Sequence, residues 1–223
     1  MSYSITPERT IPTQSAHRQS AGEKHLIRAA QNGDISGFNA LVRLYQNIVY
    51  QTAYRVMGES EAAADATQEA FVSAYKHIRS FRGDSFRGWL MRIVTNACYD
   101  QMRERRRHPT SSLEALFVGS RPLAPAAEPL AADTPPELAE RQELGEIIQK
   151  GLQTLPFDSR MTLVLFDVQG FSYQEISEIT GTHIGTVKSR LFRARALLRS
   201  FLLAQQDVLP RRYRAAENAP VPA

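Results

Sequence analysis

Apolar residues recur at three- and four-residue steps in two separate blocks of the chain, and nowhere do they alternate as a strand would require. In the first block Phe38, Leu41, Leu44, Tyr45 and Ile48 keep the spacing of a buried helix face. Ala63, Ala66, Ala70, Phe71, Ala74, Ile78 and Phe81 form a second set, and Phe86, Leu90, Ile93, Val94 and Ala97 a third. Gly58 and the stretch Arg82-Gly83-Asp84-Ser85 separate these helices, with Asp84 or Ser85 suited to cap the third. The second block repeats the style with Leu144, Ile147, Ile148, Leu152 and Leu155, a break at Pro156, and then Met161, Leu163, Val164 and Leu165. The pattern predicts an all-α protein with two small helical domains, at about 23–107 and 137–206.

Between the blocks, residues 108–136 hold six of the chain's 12 prolines and no helical period. Dense proline removes helix donors and favours an extended, semi-rigid chain. Fully stretched, such a segment spans up to roughly 95 Å, so the expectation is a linker that lets the domains sit well apart. Residues 1–22 and 207–223 read as disordered tails.

The segment Phe171 to Leu198 predicts two helices joined by a tight turn. Ser172 and Glu175 stand at capping-box spacing before a short helix from Tyr173 to about Thr180. Gly181-Thr182-His183 makes the break, and a second helix starts near Ile184. Two helices around a three-residue turn with Gly are the signature of a helix-turn-helix. On the second helix Ile184, Val187, Leu191, Ala194 and Leu198 share an inward face. The opposite face carries Gly185, Ser189, Phe192, Arg193 and Ala196, with Lys188 at its edge. A Phe exposed among Arg, Ser and Lys suits a major groove, where Arg and Lys donate to guanine and a ring meets a thymine methyl. Arg190 and Arg195 fall on the flanks, at phosphate-contact positions. Thr182 and Thr186 stand where a helix N-terminus favours phosphate.

Charge supports this reading only through its distribution. The whole chain is +4, from 27 Lys+Arg and 23 Asp+Glu, too small an excess to mark a nucleic-acid binder. Yet residues 137–178 carry eight acids and three bases, whereas 184–206 carry five bases and no acid. One Cys, Cys98, excludes an internal disulfide and any multi-cysteine zinc site; it is expected as a small inert hydrophobe. The five His stand at no metal-ligand spacing, and no nucleophile or phosphate-loop motif is present, so no catalysis, metal or cofactor is expected. No apolar run is long enough for a membrane span and no secretory leader is evident, which predicts a cytoplasmic protein without membrane insertion.

The run Gly181 to Arg195, with Gly-Thr-Val-Lys-Ser-Arg-Leu at its centre, resembles region four of bacterial sigma factors. Leu155-Pro156-x-x-x-Arg160 and Gly170-x-Ser172-Tyr173-x-Glu175-Ile176 match the same pattern. In the first block, Asp65-Ala66-Thr67-Gln68-Glu69-Ala70-Phe71 is similar to the family's polymerase-binding motif. Ser80-Phe81-Arg82-Gly83-Asp84, Trp89-Leu90 and Arg92-Ile93-Val94-Thr95-Asn96 are similar to its promoter-melting region two. The missing intermediate domains point to the extracytoplasmic-function (ECF) group.

This resemblance implies a factor that binds core RNA polymerase, reads the minus-thirty-five element and melts the minus-ten element. It implies that Asp65, Gln68 and Glu69 are polar anchors on the clamp helices of the largest subunit, with the flap receiving the second domain. The acids at Glu59, Glu61, Asp65 and Glu69 also suit the positive end of a helix, which accounts for part of the pattern. Asn96, Tyr99, Arg103, Arg106 and Arg107 are expected to track the promoter backbone towards a base pocket. Relatives draw a minus-ten base into such a pocket, at a cost of a few kcal/mol. Asn96 is the expected hydrogen-bonding group there. Phe81 is either a pocket- and loop-shaping residue or a core aromatic, and Trp89 is expected in the core. The minus-thirty-five readers are Lys188, Ser189, Phe192 and Arg193. An anti-sigma factor is the implied regulatory partner. The rival class is a freestanding helix-turn-helix regulator, which has no use for Asp65, Gln68 and Glu69.

Overall fold

The protein is described by a computed structural model over residues 20–107, 135–205, 207 and 209. Residues 108–134 of the expected linker (108–136), residues 1–19 of the expected tail (1–22) and nearly all of 207–223 lie outside the described residues. Among the described residues the structure is helical, without strands.

The first block contains α1 (Ala21–Gln31), α2 (Ile35–Met57), α3 (Ser60–His77), one 3₁₀ turn (Ile78–Ser80) and α4 (Phe86–Arg107). The second contains α5 (Pro135–Gln153), α6 (Phe157–Leu163), a π-helical turn (Val164–Val168), α7 (Tyr173–Thr180) and α8 (Ile184–Ala204). Helix α1 starts inside the expected tail, because the Ser20 hydroxyl accepts from the Glu23 amide and caps it. Helix α5 likewise starts two residues before the expected boundary, since proline is tolerated in a first helical turn.

The three apolar sets of the first block meet as expected, with one exception. Ala63, Ala66, Ala70, Ala74 and Ile78 are buried against α2 and α4, and the small alanines let these helices approach closely. Leu44, however, is 57% exposed. The buried stripe of α2 runs through Phe38, Leu41, Tyr45, Val49, Thr52 and Val56. Leu44 lies about 110° from the centre of that stripe at 100° per residue.

The larger difference is between the blocks. The expectation was domains held apart; instead one continuous apolar cluster runs from Ile27 in α1 to Ala194 in α8. Met161 of α6 meets Thr95 of α4 (Sδ to Oγ1 3.8 Å), and the Phe157 and Tyr99 rings pack edge to face at 5.1 Å. Polar side chains complete the junction at the C-terminal end of α2, where the last carbonyls of a helix have no partner within it. Gln149 donates to the Tyr54 carbonyl (3.0 Å), Gln153 to that of Arg55 (3.3 Å) and Arg160 to that of Val56 (2.5 Å). Arg160 also donates to the Leu155 carbonyl and the Gln153 side chain. Gly58 ends α2 in the left-handed region (φ 87°), and a Cβ there would stand 2.5 Å from the Gln153 amide carbon. The backbone angle favours glycine at that position, and a larger residue would also displace the Gln153 amide from its place at the end of α2.

Candidate nucleic-acid interface

Helices α7 and α8 form the expected helix-turn-helix. The Ser172 hydroxyl accepts from the Glu175 amide while the Glu175 carboxylate accepts from the Ser172 amide, a complete capping box. Gly181 closes α7 at φ 65°, and the Ser177 hydroxyl ties the turn by donating to the Thr182 carbonyl (2.6 Å). The His183 imidazole accepts from the Gly185 amide and starts α8. The sequence pattern places His183 in the turn but does not mark it as a cap.

Helix α8 divides its faces as the wheel predicts. Val187, Leu191 and Ala194 are buried, with Ile184 and Leu198 partly so. Phe192 is 76% exposed, and Thr186, Lys188, Ser189 and Arg193 are exposed around it. Arg193 donates back to the Ser189 carbonyl (3.2 Å), which lays its guanidinium along this face. The Lys188 ammonium stands 5.7 Å from the Tyr173 ring centroid.

The flanking residues are less free than the wheel suggests. Arg195 is paired with Asp167 (2.5 Å) and lies over the Phe166 ring, and that bond holds its guanidinium above its ordinary pKa. Arg190 is paired with Asp158 (2.6 Å) and is largely covered. Thr182 shares a hydrogen bond with the Thr180 hydroxyl (2.9 Å).

In the first block, Arg92, Asn96 and Arg103 are exposed along one side of α4. Arg103 is bound to Asp100 and Arg107 to Glu104, both one turn away, and Arg106 is exposed. Tyr99 does not join this side. It turns into the junction, where burial and its bond to Asp158 (2.9 Å) push its hydroxyl above the ordinary range. It stands about 60° round the helix from Asn96, which suffices to change faces. Phe81 is buried in an aromatic group with Phe86 and Trp89, at ring distances of 5.6 and 5.2 Å. It nonetheless lines a cavity of about 440 Å³ with Gly83, Ser85, Trp89 and Arg92. Asn96 is not among that cavity's lining residues.

Asp65, Gln68 and Glu69 are exposed together on α3, away from its buried alanine stripe. Val72 and Tyr75, further along the same helix, are also exposed. Of the other acids near the start of α3, Glu59 is engaged by Arg105 through two hydrogen bonds (3.0 and 2.8 Å). Among the described residues there is no cluster able to hold a metal, and no helix is long and apolar enough to cross a membrane.

A helix-turn-helix with an open recognition face, packed on a helical unit with an exposed acidic surface, defines a DNA-binding transcription protein. Similarity to known proteins narrows the class. Residues 41–108 match Sigma-70 region 2 and residues 145–198 match Sigma-70 region 4. The chain is 37% identical over 172 residues to the ECF RNA polymerase sigma-E factor of Escherichia coli (strain K12), covering 76% of this chain and 88% of that protein. It is 35% identical over 165 residues to the ECF RNA polymerase sigma factor SigE of Mycolicibacterium smegmatis, covering 74% of this chain and 61% of that one. Among solved structures, the sigma factor RpoE in complex with the anti-sigma factor NepR from Bartonella quintana aligns at a TM-score of 0.57 and 28% identity, over 75% of this chain and 98% of that one. CnrH in complex with the cytosolic domain of CnrY aligns at 0.57 and 27% identity, over 82% and 98%. The chain belongs to the ECF group of the sigma-70 family of RNA polymerase sigma factors.

Proposed function

We propose that this chain binds core RNA polymerase through α3, reads a minus-thirty-five element with α8 and opens the minus-ten element with α4 and the 81–85 loop. It acts in the cytoplasm as a specificity subunit without catalytic chemistry of its own. The observation that carries the reading is the α8 surface. Phe192 stands 76% exposed between Lys188, Ser189 and Arg193, an apolar ring among hydrogen-bond donors on one helix face, the mix that reads base edges and thymine methyls in a major groove. On this reading Arg193 reads a base edge, while Thr182, Thr186, Arg190 and Arg195 position the helix on phosphates. Asn96, with Arg103, Arg106 and Arg107, handles the melted strand, and Phe81 shapes the pocket from within the core. Asp65, Gln68 and Glu69 are the polar anchors on polymerase, and an anti-sigma factor regulates the chain as in the similar complexes.

Run-off transcription from genomic fragments, with core polymerase and with or without the chain, tests the reading. New start sites are expected only with the chain. Replacing Asp65, Gln68 and Glu69 with alanine should abolish polymerase binding while duplex DNA binding by the full chain persists. Start sites that never change would overturn the assignment, and equal loss of both bindings would make the α3 face structural.

A further inference from the structure

The loop at 81–83 has a cavity on each side. Phe81, Arg82 and Gly83 line both the larger one, beside Trp89 and Arg92, and a second cleft of about 240 Å³ that opens towards α1. To this second cleft α1 supplies Lys24, Arg28 and Gln31, which share one helix face at steps of four and three. The lining holds three cations, Lys24, Arg28 and Arg82, and no acid. All three are exposed, and none forms an ion pair among the described residues. Arg82 does donate to the carbonyls of Arg79 (2.6 Å) and Phe81 (3.0 Å), but both bonds use Nη1 and set no acid against the guanidinium. The arginines at the C-terminal end of α4 differ, since Arg103, Arg105 and Arg107 each meet a carboxylate. The position of the cleft is fixed by hydrogen bonds. The Gln31 amide donates to the carbonyls of Ile78 (3.2 Å) and Phe81 (2.9 Å), so α1 sets where the loop stands. Like charges gathered round one cleft repel one another, and an anion seated among them reverses that cost.

From this geometry we propose that α1 belongs to the single-strand site: Lys24, Arg28 and Arg82 hold backbone phosphate of the melted minus-ten strand beside the nucleotide at the Phe81 cavity, and Gln31 positions the wall between the two. The proposal rests on the functional reading above, in which α4 and the 81–85 loop handle that strand, and it carries the strand's path onto a helix without a role in that reading. Charge and continuity favour a nucleic-acid backbone over polymerase as the occupant. The anchors proposed for polymerase on α3 are acidic, whereas this cleft is cationic and shares its loop with the minus-ten cavity.

The test uses holoenzyme assembled from core polymerase and either the parent chain or the double variant Lys24→Gln/Arg28→Gln, which keeps good helix formers at both exposed positions. Fluorescence anisotropy follows binding of a labelled single strand carrying a mapped minus-ten element, over a series of salt concentrations. Each phosphate contact contributes about 0.7 to the slope of log affinity against log salt for single strands, so the variant's slope should be shallower by about 1.4. Between about 50 and about 200 mM salt its affinity should therefore fall about 7-fold less than the parent's. Strands carrying one neutral methylphosphonate linkage, moved a position at a time, locate the contact. One or two linkages beside the nucleotide at the Phe81 cavity should weaken the parent and leave the variant unaffected. Gln31→Met keeps the side chain's length but cannot donate, and it should weaken the strand without changing the salt slope. Affinity for core polymerase should be unchanged in every variant. A parent-like slope and linkage profile in the double variant would overturn the proposal. So would a slope in Gln31→Met that falls as far, or a loss confined to polymerase binding, which would assign the cleft to polymerase. Failure of the parent holoenzyme to bind the strand at all would instead overturn the functional reading, and the proposal with it.

Discussion

Adjacent residues of α8 offer a sharp separation of binding from folding. Phe192 is 76% exposed and Leu191 is 2% exposed, one on the face proposed to meet DNA and one in the core. Phe192→Ala removes little from the folded protein, so its stability should change by no more than about 0.5 kcal/mol. Fully burying a Phe side chain is worth about 1.5–3 kcal/mol, and a groove covers roughly one side of the ring. The expected loss on a minus-thirty-five duplex is therefore about 1–1.5 kcal/mol, or about 5- to 10-fold in affinity. Leu191→Ala should do the reverse, costing about 2–5 kcal/mol of stability through the cavity it leaves. At about 2–4 °C per kcal/mol, that variant melts well below the parent while Phe192→Ala melts beside it. The assays are thermal unfolding by circular dichroism and anisotropy against a mapped promoter duplex and a random one. A Phe192→Ala protein that melts like Leu191→Ala, or that keeps full promoter affinity, would refute the assignment of this face.

Two further outcomes follow from buried groups. Burial in α4 pushes the Cys98 thiol up to about 12, so a thiol reagent should modify it in the native chain only as fast as the protein opens, and rapidly once denatured. Fast native labelling at neutral pH would show that the first block is looser than its core implies. Tyr45 and Tyr99 are both held above the ordinary tyrosine value of 10.0, first by burial and then by bonds to Glu23 and Asp158. A raised native pKa means that this contribution to stability is complete below pH 10.0 and is lost as pH rises further. The urea midpoint should accordingly hold up to about pH 10 and fall progressively above it, and a flat profile there would contradict the bonding of these hydroxyls.

The division of α8 into a buried and an exposed face was legible because helices write their buried faces into the chain at a fixed period. The capping box at Ser172 and Glu175, the turn at Gly181 and the inward row Val187, Leu191 and Ala194 all stand as the spacing required. Phe192 could be identified as exposed for the same reason: it lies opposite that row. Leu44 shows the limit, since an apolar residue at a permitted spacing still misses a stripe that drifts round the helix. Tyr99 shows another. Its place near Asn96 and the arginines suggested a shared groove, but three positions along a helix leave a side chain about 60° round from where it began.

What the sequence determined by itself was local and periodic: an all-α chain, the order of the three longer helices of its first block though not the helix Ala21–Gln31 before them, and the helix-turn-helix with the exposed and buried faces of its second helix. Those features depend on residues a few positions apart, and their spacing records them. Only the tertiary structure decided how the two blocks meet. Gln149, Gln153 and Asp158 read as ordinary polar positions and Arg160 only as a motif residue without a stated partner, because a side chain that caps another helix's carbonyls or pairs across a junction leaves no periodic mark. The prolines between the blocks favour an extended chain, but extension of a connecting segment does not set the distance between its ends. That distance follows from burying Met161 and Phe157 against the first block and from satisfying the last carbonyls of α2, which is why the domains lie together.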